Sequence, residues 1–136
     1  MPLNNPPETD IPPAVAGDVL EFLMSLNTER QTASLAYVKV KEAVVPRSGT
    51  YRVKFDLKCF DATAIAYGRI YKGGVAHGTE QTQADATWTT KSEDLVFDAL
   101  DTVELWYKTN NINKDAFVRN FKLYIGNPLN LQNVTD

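Results

Sequence analysis

The strict alternation of side-chain type between residues 50 and 60 is the feature that most constrains how this chain folds. The odd positions are apolar and the even positions are mostly charged: Tyr51, Val53, Phe55, Leu57 and Cys59 alternate with Arg52, Lys54, Asp56 and Lys58. Successive side chains of a β-strand point to opposite faces, so this segment predicts a strand with one buried face. A slip of one residue would move five apolar groups into water, and we therefore expect a well-fixed register.

Further strands are predicted on the same grounds at intervals of roughly 8–12 residues. They cover residues 35–45, 64–72, 75–82, 84–90, 95–97, 102–109 and 116–125. In residues 35–45, Val38 and Val40 are expected on the buried face of the strand, and Lys39 and Lys41 on its outer face. Gly73-Gly74 suits the positive φ values of a two-residue hairpin turn. With no sustained helical stretch between these segments, we predict an all-β, antiparallel sandwich of jelly-roll type with seven or eight strands.

The segment 19–26 is ambiguous by periodicity. Val19, Phe22, Leu23 and Leu26 fit one helical face, whereas Leu20, Phe22, Met24 and Leu26 fit one face of a strand. We favour a strand because every later segment is β.

The 136 residues fit one domain, predicted over residues 18–126. Residues 1–17 form a proline-rich arm that includes Pro2, Pro6, Pro7, Pro12 and Pro13. Proline lacks a backbone donor and fixes φ, so the arm is expected to be extended, either as a frayed end or as a segment that lies on a partner subunit. Residues 127–136 are expected to form a polar tail. The chain begins without the basic and apolar regions of a signal peptide.

Composition argues against several classes of function. The net charge of −3 opposes bulk attraction to nucleic acid, and no apolar run reaches the ~20 residues of a membrane span. His77 is the only histidine, so it cannot form a multi-histidine metal site within one chain. Cys59 is in phase with the core and is expected to be a small buried hydrophobe. No catalytic constellation, cofactor motif or phosphate loop is present, and we predict a protein that is not an enzyme.

Two clusters of charged residues are candidate binding sites, one acidic and one basic. For both we favour a solvated surface. The acidic residues Glu93, Asp94, Asp98 and Asp101 match no calcium-loop spacing. The basic residues Lys39, Lys41, Arg52, Lys54 and Lys58 would form a positive stripe if their two strands paired.

Aromatic residues and one arginine are the candidate binding or interface residues. The pattern turns Trp106 away from the core, which predicts either an interface or cover by another part of the chain. Trp88 and Tyr71 are further aromatic candidates. Arg119 is in phase with Phe117, Phe121 and Leu123, so it is expected to point into apolar surroundings and to need a carboxylate or carbonyl partner.

Several of these segments resemble a known group of folds. Ser48–Phe55 resembles the "Gly-x-Tyr-x-(apolar)-x-Phe" strand of trimeric jelly rolls of the complement and tumour-necrosis-factor type, and Asp101–Trp106 resembles their "Gly-Asp-x-(apolar)-x-Leu" strand, with Leu100 in place of the glycine. Val118–Phe121 resembles their closing strand. Residues 37–125 are also similar to small phage proteins such as head decoration proteins, head fibres and tail-fibre tips. The resemblance implies a homotrimeric jelly roll on a virion surface.

Two functions follow as hypotheses. The first is a structural protein of a phage particle that self-associates and attaches to a capsid or tail protein through its N-terminal arm. The alternative is a carbohydrate- or receptor-binding β-sandwich module, in which Trp106, Trp88 or Tyr71 would stack on a sugar ring.

Overall fold

A computed structural model describes residues 20–126, with side chains from residue 22 onwards. Ten antiparallel strands and no helix are found in this range. The strands are β1 (Leu20–Leu26), β2 (Arg30–Thr32), β3 (Val38–Val44), β4 (Gly49–Cys59), β5 (Ala66–Lys72), β6 (Val75–Ala76), β7 (Gln81–Gln83), β8 (Thr89–Phe97), β9 (Thr102–Thr109) and β10 (Ala116–Gly126). Three of them are only two or three residues long, which explains the excess over the seven or eight predicted. The predicted arm and tail lie outside the described residues.

The strands form two sheets that pack face to face. Sheet I has the order β1-β10-β4-β8, with β2 also paired to β10, and sheet II has the order β3-β9-β5-β6, with β7 also paired to β5. This is the predicted jelly-roll sandwich. Within residues 20–126, no helix is long and apolar enough to cross a membrane.

The core lies between the sheets and is built by the predicted alternation. All five apolar side chains of β4 are at most 2% exposed. They pack with residues of β5, β9 and β10, among them Ala66, Ile70, Val103, Leu105, Tyr107, Val118, Phe121, Leu123 and Ile125. Cys59 is a buried free thiol, as expected. Segment 19–26 is a strand over Leu20–Leu26, and Gly73 and Gly74 form the predicted hairpin turn with φ values of 56° and 84°.

The face assignment of β3 was wrong in part, because the strand contains an irregularity, although Val40 packs against the core and Lys39 is exposed as expected. Its pairing with β9 shifts register between Lys39 and Lys41, and one extra residue reverses which side chains point inward. Lys41 is therefore buried, at 8% exposure, while Val38 and Val44 are exposed. The Lys41 ammonium donates a 2.7 Å hydrogen bond to the Thr28 carbonyl, and burial lowers the pKa of this lysine.

A second irregularity corrects the prediction for Arg119. Pairing of β10 with β4 shifts register between Arg119 and Lys122, and Asn120 has a left-handed φ of 55°. Val118 faces the core before the shift and Phe121 after it. The side chain of Arg119 therefore points to the outer face of sheet I and not into apolar surroundings, and Phe117 shares that face.

Two other expectations also change. The predicted strands 84–90 and 95–97 are replaced by one strand, β8, because residues 91–94 continue the pairing with β4. The basic residues of β3 and β4 cannot form one stripe, because these strands belong to different sheets.

Candidate functional site

The outer face of sheet II carries four half-buried aromatic side chains, which we call the aromatic face: Tyr37, Tyr67, Tyr71 and Trp106. In β5, the inward positions are Gly68 and Ile70, which turns the two tyrosines outward. In β9, the inward residues Val103, Leu105 and Tyr107 turn Trp106 outward. Strand alternation thus places Tyr67, Tyr71 and Trp106 on one surface. Tyr37, just before β3, adjoins them.

Two rings of the aromatic face stack in parallel. The centroids of Tyr71 and Trp106 are 4.3 Å apart and their planes differ by 11°. Tyr37 adjoins this pair, with its ring centroid 5.9 Å from that of Tyr71. The Lys108 ammonium lies 4.9 Å from the Tyr37 ring centroid and 4.8 Å from that of Tyr67. The result is a compact cluster of rings in which Tyr71 and Trp106 each cover one face of the other, with a cation held against the remaining two rings.

A buried carboxylate fixes the orientation of the tryptophan. Glu104 lies directly across from Tyr71 and is 4% exposed. It accepts hydrogen bonds from the Trp106 indole at 2.9 Å, from the Thr102 hydroxyl at 2.9 Å and from the Gly74 amide at 3.1 Å. Burial alone would raise the pKa of Glu104, but these hydrogen bonds outweigh it and the pKa lies below its usual value. The carboxylate stays ionised, which keeps the indole in place.

A second carboxylate holds Tyr37. The Tyr37 hydroxyl donates a 2.6 Å hydrogen bond to Glu80. Burial and this hydrogen bond to an acidic partner raise the pKa of the tyrosine well above its usual value. Arg69, also on the outer face, donates to the Gly78 carbonyl at 2.6 Å. The aromatic face is therefore organised by hydrogen bonds at both of its ends.

The other two candidate residues meet on the opposite side of the sandwich. The Arg119 guanidinium carbon lies 4.1 Å from the Trp88 ring centroid, and Arg119 Nε donates a 3.1 Å hydrogen bond to Asp56. The Lys58 ammonium lies 4.8 Å from the same Trp88 ring and 5.1 Å from that of Phe117. Cations thus occupy positions over the Trp88 ring, which leaves less of that ring open for stacking.

A polar groove of about 280 Å³ lies beside this pair on the outer face of sheet I. It is lined by Lys54, Asp56, Thr90, Asn120, Lys122 and Tyr124. Asp56 accepts hydrogen bonds from Thr90 at 2.7 Å and Asn120 at 2.9 Å, in addition to Arg119. Burial raises the pKa of Asp56, but the three hydrogen bonds outweigh it and the pKa lies below its usual value. We call this feature the Asp56 groove.

The structure therefore separates the four predicted site residues into two pairs, Tyr71 with Trp106 and Trp88 with Arg119. Sequence reasoning missed Tyr67, although its spacing of four from Tyr71 places both on one strand face. It also missed Tyr37, which lies within the predicted strand 35–45 but just before β3 in the structure. The role of Glu104 had a partial signal, because Thr102, Glu104 and Trp106 alternate along β9. The Gly74 contact and the Asp56 groove depend on which strands pair and had none.

The acidic stretch and the histidine have local structural contacts. Glu93 accepts the Thr79 amide, Asp94 pairs with Arg52, and Asp101 accepts the Asp98 amide. Within residues 20–126, no group of three or more histidine, cysteine or acidic side chains could hold a metal ion. His77 Nε2 lies 2.8 Å from the Val96 carbonyl oxygen.

The fold is that of a jelly-roll sandwich similar to carbohydrate-binding modules. The CBM22-1 xylan-binding domain of Paenibacillus barcinonensis Xyn10C is similar with a TM-score of 0.52 and 9% identity, over 79% of this chain and 96% of that domain. The CBM36-1 domain of a xylanase from the hindgut metagenome of Trinervitermes trinervoides has a TM-score of 0.53 and 15% identity, over 82% and 93% of the two chains. The C-terminal domain of EclA, a sugar-binding protein, has a TM-score of 0.51 and 11% identity, over 84% and 89%.

These identities establish a shared fold and nothing finer. No model of a known protein family matches the sequence. No curated protein matches it either.

Proposed function

We propose that this protein is a non-catalytic carbohydrate-binding module that holds a saccharide on the aromatic face. The observation that carries the proposal is the parallel pair of Tyr71 and Trp106, with the indole fixed by the buried Glu104. The alternative function derived from the sequence thus becomes the main one, and two of its three named aromatic residues form the proposed site.

The chemistry of a saccharide suits this surface. One face of a pyranose ring presents C–H groups, which pack on a flat aromatic ring, while its hydroxyl groups need hydrogen-bond partners at the edge. The aromatic face offers both, because its rings are bordered by the charged side chains Arg69 and Lys108 and by the Tyr37–Glu80 pair. Aromatic side chains that are already held in place lose little conformational entropy on binding, which favours affinity.

The similar structures support the same proposal. A xylan-binding domain, a CBM36 domain and a sugar-binding domain have folds like this one. Because their sequences are at most 15% identical to this chain, the choice of sugar does not transfer, and the aromatic face must be tested directly.

The test is a binding titration with xylohexaose, cellohexaose and a panel of further neutral oligosaccharides. We expect one or more to bind and Trp106→Ala and Tyr71→Ala each to weaken that binding by roughly tenfold or more, since each removes one stacking face. Phe60→Ala is the matched control, because Phe60 is an exposed aromatic residue, 53% accessible, outside this surface. Binding by none of the oligosaccharides, or equal binding by all three variants and the wild type, would overturn the proposal.

Neither the fold nor the similar structures support a role in a phage particle, a capsid partner or a homotrimer. These remain predictions from the sequence resemblance. Sedimentation of the full chain, alone and with candidate particles, tests them. A chain that stays monomeric and joins no particle would contradict them.

A further inference from the structure

Two lysines face each other directly in the middle of sheet I. Lys54 on β4 and Lys122 on β10 are register partners. Like charges directly opposite one another on neighbouring strands are destabilising. Among the described residues, neither lysine forms an ion pair with a carboxylate; Lys54 lies 5.3 Å from the Tyr124 ring centroid. This juxtaposition weakens the sheet unless something else stabilises it.

The same place in the sheet also holds a strained backbone. The register shift between Arg119 and Lys122 adjoins the lysine pair, and Asn120 within it has a φ of 55°. A left-handed residue other than glycine costs free energy, and such positions cluster at binding and catalytic sites. Departures from local rules that coincide in one place point to a site with a function.

The outer face of sheet I is positively charged although the chain is not. The outward positions of β4, β8 and β10 carry five cations and two carboxylates, an excess of three positive charges, whereas the whole chain has a net charge of −3. The cations are Arg52, Lys54, Lys58, Arg119 and Lys122, and the carboxylates are Asp56 and Asp94. Arg52 pairs with Asp94 and Arg119 with Asp56, so the uncompensated charge includes the two lysines that line the Asp56 groove.

We propose that the Asp56 groove binds an acidic sugar, and that the Lys54 and Lys122 ammonium groups donate hydrogen bonds to its carboxylate or sulfate group. The groove volume of about 280 Å³ approaches that of small-molecule sites, roughly 300 Å³ and above. Two ammonium groups on opposite strands can both donate to one anionic group. Thr90, Asn120 and the Tyr124 ring line the rest of the groove and offer polar and stacking contacts to the sugar.

A saccharide is favoured over a nucleic acid as the source of the anion. A polynucleotide would extend beyond the groove, and the net negative charge of the chain would repel its phosphates. A single sugar unit would contact only the groove. The choice of a saccharide rests on the proposed carbohydrate-binding role, but the preference for an anion does not. The Asp56 groove and the aromatic face lie on opposite sheets, so either proposal can be disproved while the other stands.

The experiment is a titration of the full chain with four probes of matched length. They are a galacturonic acid hexamer, a κ-carrageenan hexamer that carries sulfate and no carboxylate, neutral xylohexaose and a thymidine oligonucleotide. We expect one of the two acidic sugars to bind and the affinity to fall as salt rises, and the stronger of the two identifies carboxylate or sulfate. Lys54→Gln and Lys122→Gln should each weaken that binding by about tenfold.

Matched variants separate charge from structure. Lys122→Arg keeps the charge and should retain most of the binding, while Lys72→Gln, on the other sheet, should leave it unchanged. The proposal is overturned if neither acidic sugar binds, if the glutamine variants bind as the wild type does, or if the oligonucleotide binds more tightly than both sugars. Loss of acidic-sugar binding in Trp106→Ala alone would also overturn it, since the ligand would then lie on the aromatic face.

Discussion

The indole nitrogen of Trp106 donates a 2.9 Å hydrogen bond to Oε1 of Glu104, and the same oxygen accepts the backbone amide of Gly74 at 3.1 Å. The orientation of the tryptophan is thereby linked to the hairpin turn between β5 and β6. Because Glu104 is 4% exposed, water cannot readily replace it as the acceptor for these donors.

Replacement of Glu104 by alanine is therefore expected to lower the free energy of unfolding by about 1–3 kcal/mol, the cost of leaving buried donors without an acceptor. Glu104→Gln keeps the size and one acceptor oxygen and should lose less. Urea unfolding followed by tryptophan fluorescence measures both. Equal stability of the alanine variant and the wild type would contradict the anchoring role.

Low pH should lower the free energy of unfolding through the same carboxylate, Glu104. The pKa of Glu104 lies below its usual value of 4.5 in the folded protein, so the folded state binds a proton less tightly than the unfolded state. Its stabilising contribution is present above about pH 4.5 and is lost as the pH falls through the lower folded-state pKa. The free energy of unfolding of the wild type should thus fall below about pH 4.5, and less so for Glu104→Gln. The same fall in both proteins would assign the acid sensitivity to other carboxylates.

Asp56, Asp61, Asp85 and Asp94 also have lowered pKa values and are such carboxylates. The pKa of Asp94 is lowered by its hydrogen bond from Arg52, and a hydrogen bond from Lys114 lowers that of Asp61 to about 2. Comparing the pH dependence of the wild type with that of Glu104→Gln separates the contribution of Glu104 from theirs.

The alternation of β4, β5 and β9 made most of the sandwich predictable, because a half-buried strand repeats its pattern every two residues. The same rule failed in β3 and β10 at one place each. A register shift adds one residue, and nothing in the side-chain pattern marks where it occurs. Lys41 and Arg119 were therefore placed on the wrong faces.

The candidate sites were predictable only in part. Trp106 and Tyr71 could be identified as outward-facing aromatic residues from their own strands. Their stacking depends on the pairing of β5 with β9, and the facing of Lys54 and Lys122 depends on the pairing of β4 with β10. Both strand pairs are far apart in sequence, so a single sequence holds no local signal for them.

Gly68 marks a close approach between the two sheets. A Cβ at this position would lie 2.6 Å from Cε2 and 3.0 Å from Cζ of Phe55. Gly68→Ala should therefore destabilise the fold by roughly 1–3 kcal/mol, as overpacking does in a well-packed core. Gly126→Ala is the control, since among residues 20–126 no heavy atom beyond its chain neighbours lies within 4 Å of its Cβ position. Thermal unfolding should show a lower Tm for Gly68→Ala, and equal Tm values for the two variants would refute the close approach.

Asn120 combines a left-handed backbone with a hydrogen bond to Asp56. Asn120→Ala loses the hydrogen bond and keeps an unfavourable φ, whereas Asn120→Gly loses only the hydrogen bond. We expect the alanine variant to be less stable than the glycine variant by about 1 kcal/mol. Chemical denaturation of both variants measures the difference. A glycine variant no more stable than the alanine variant would show that the backbone at this shift is not strained.

The contact between Arg119 and Trp88 should contribute to stability beyond the separate effects of the two residues. A guanidinium within ~6 Å of a ring centroid interacts with the ring face by about 0.5–2 kcal/mol, and the observed distance is 4.1 Å. A double-mutant cycle of Arg119→Ala and Trp88→Ala measures this coupling while cancelling the loss of the Asp56 contact in Arg119→Ala. Arg119→Ala with Trp106→Ala is the control pair, because Trp106 lies on the opposite sheet, and its effects should add. Additive effects in both cycles would mean that the Trp88 ring contributes nothing to holding the guanidinium in place.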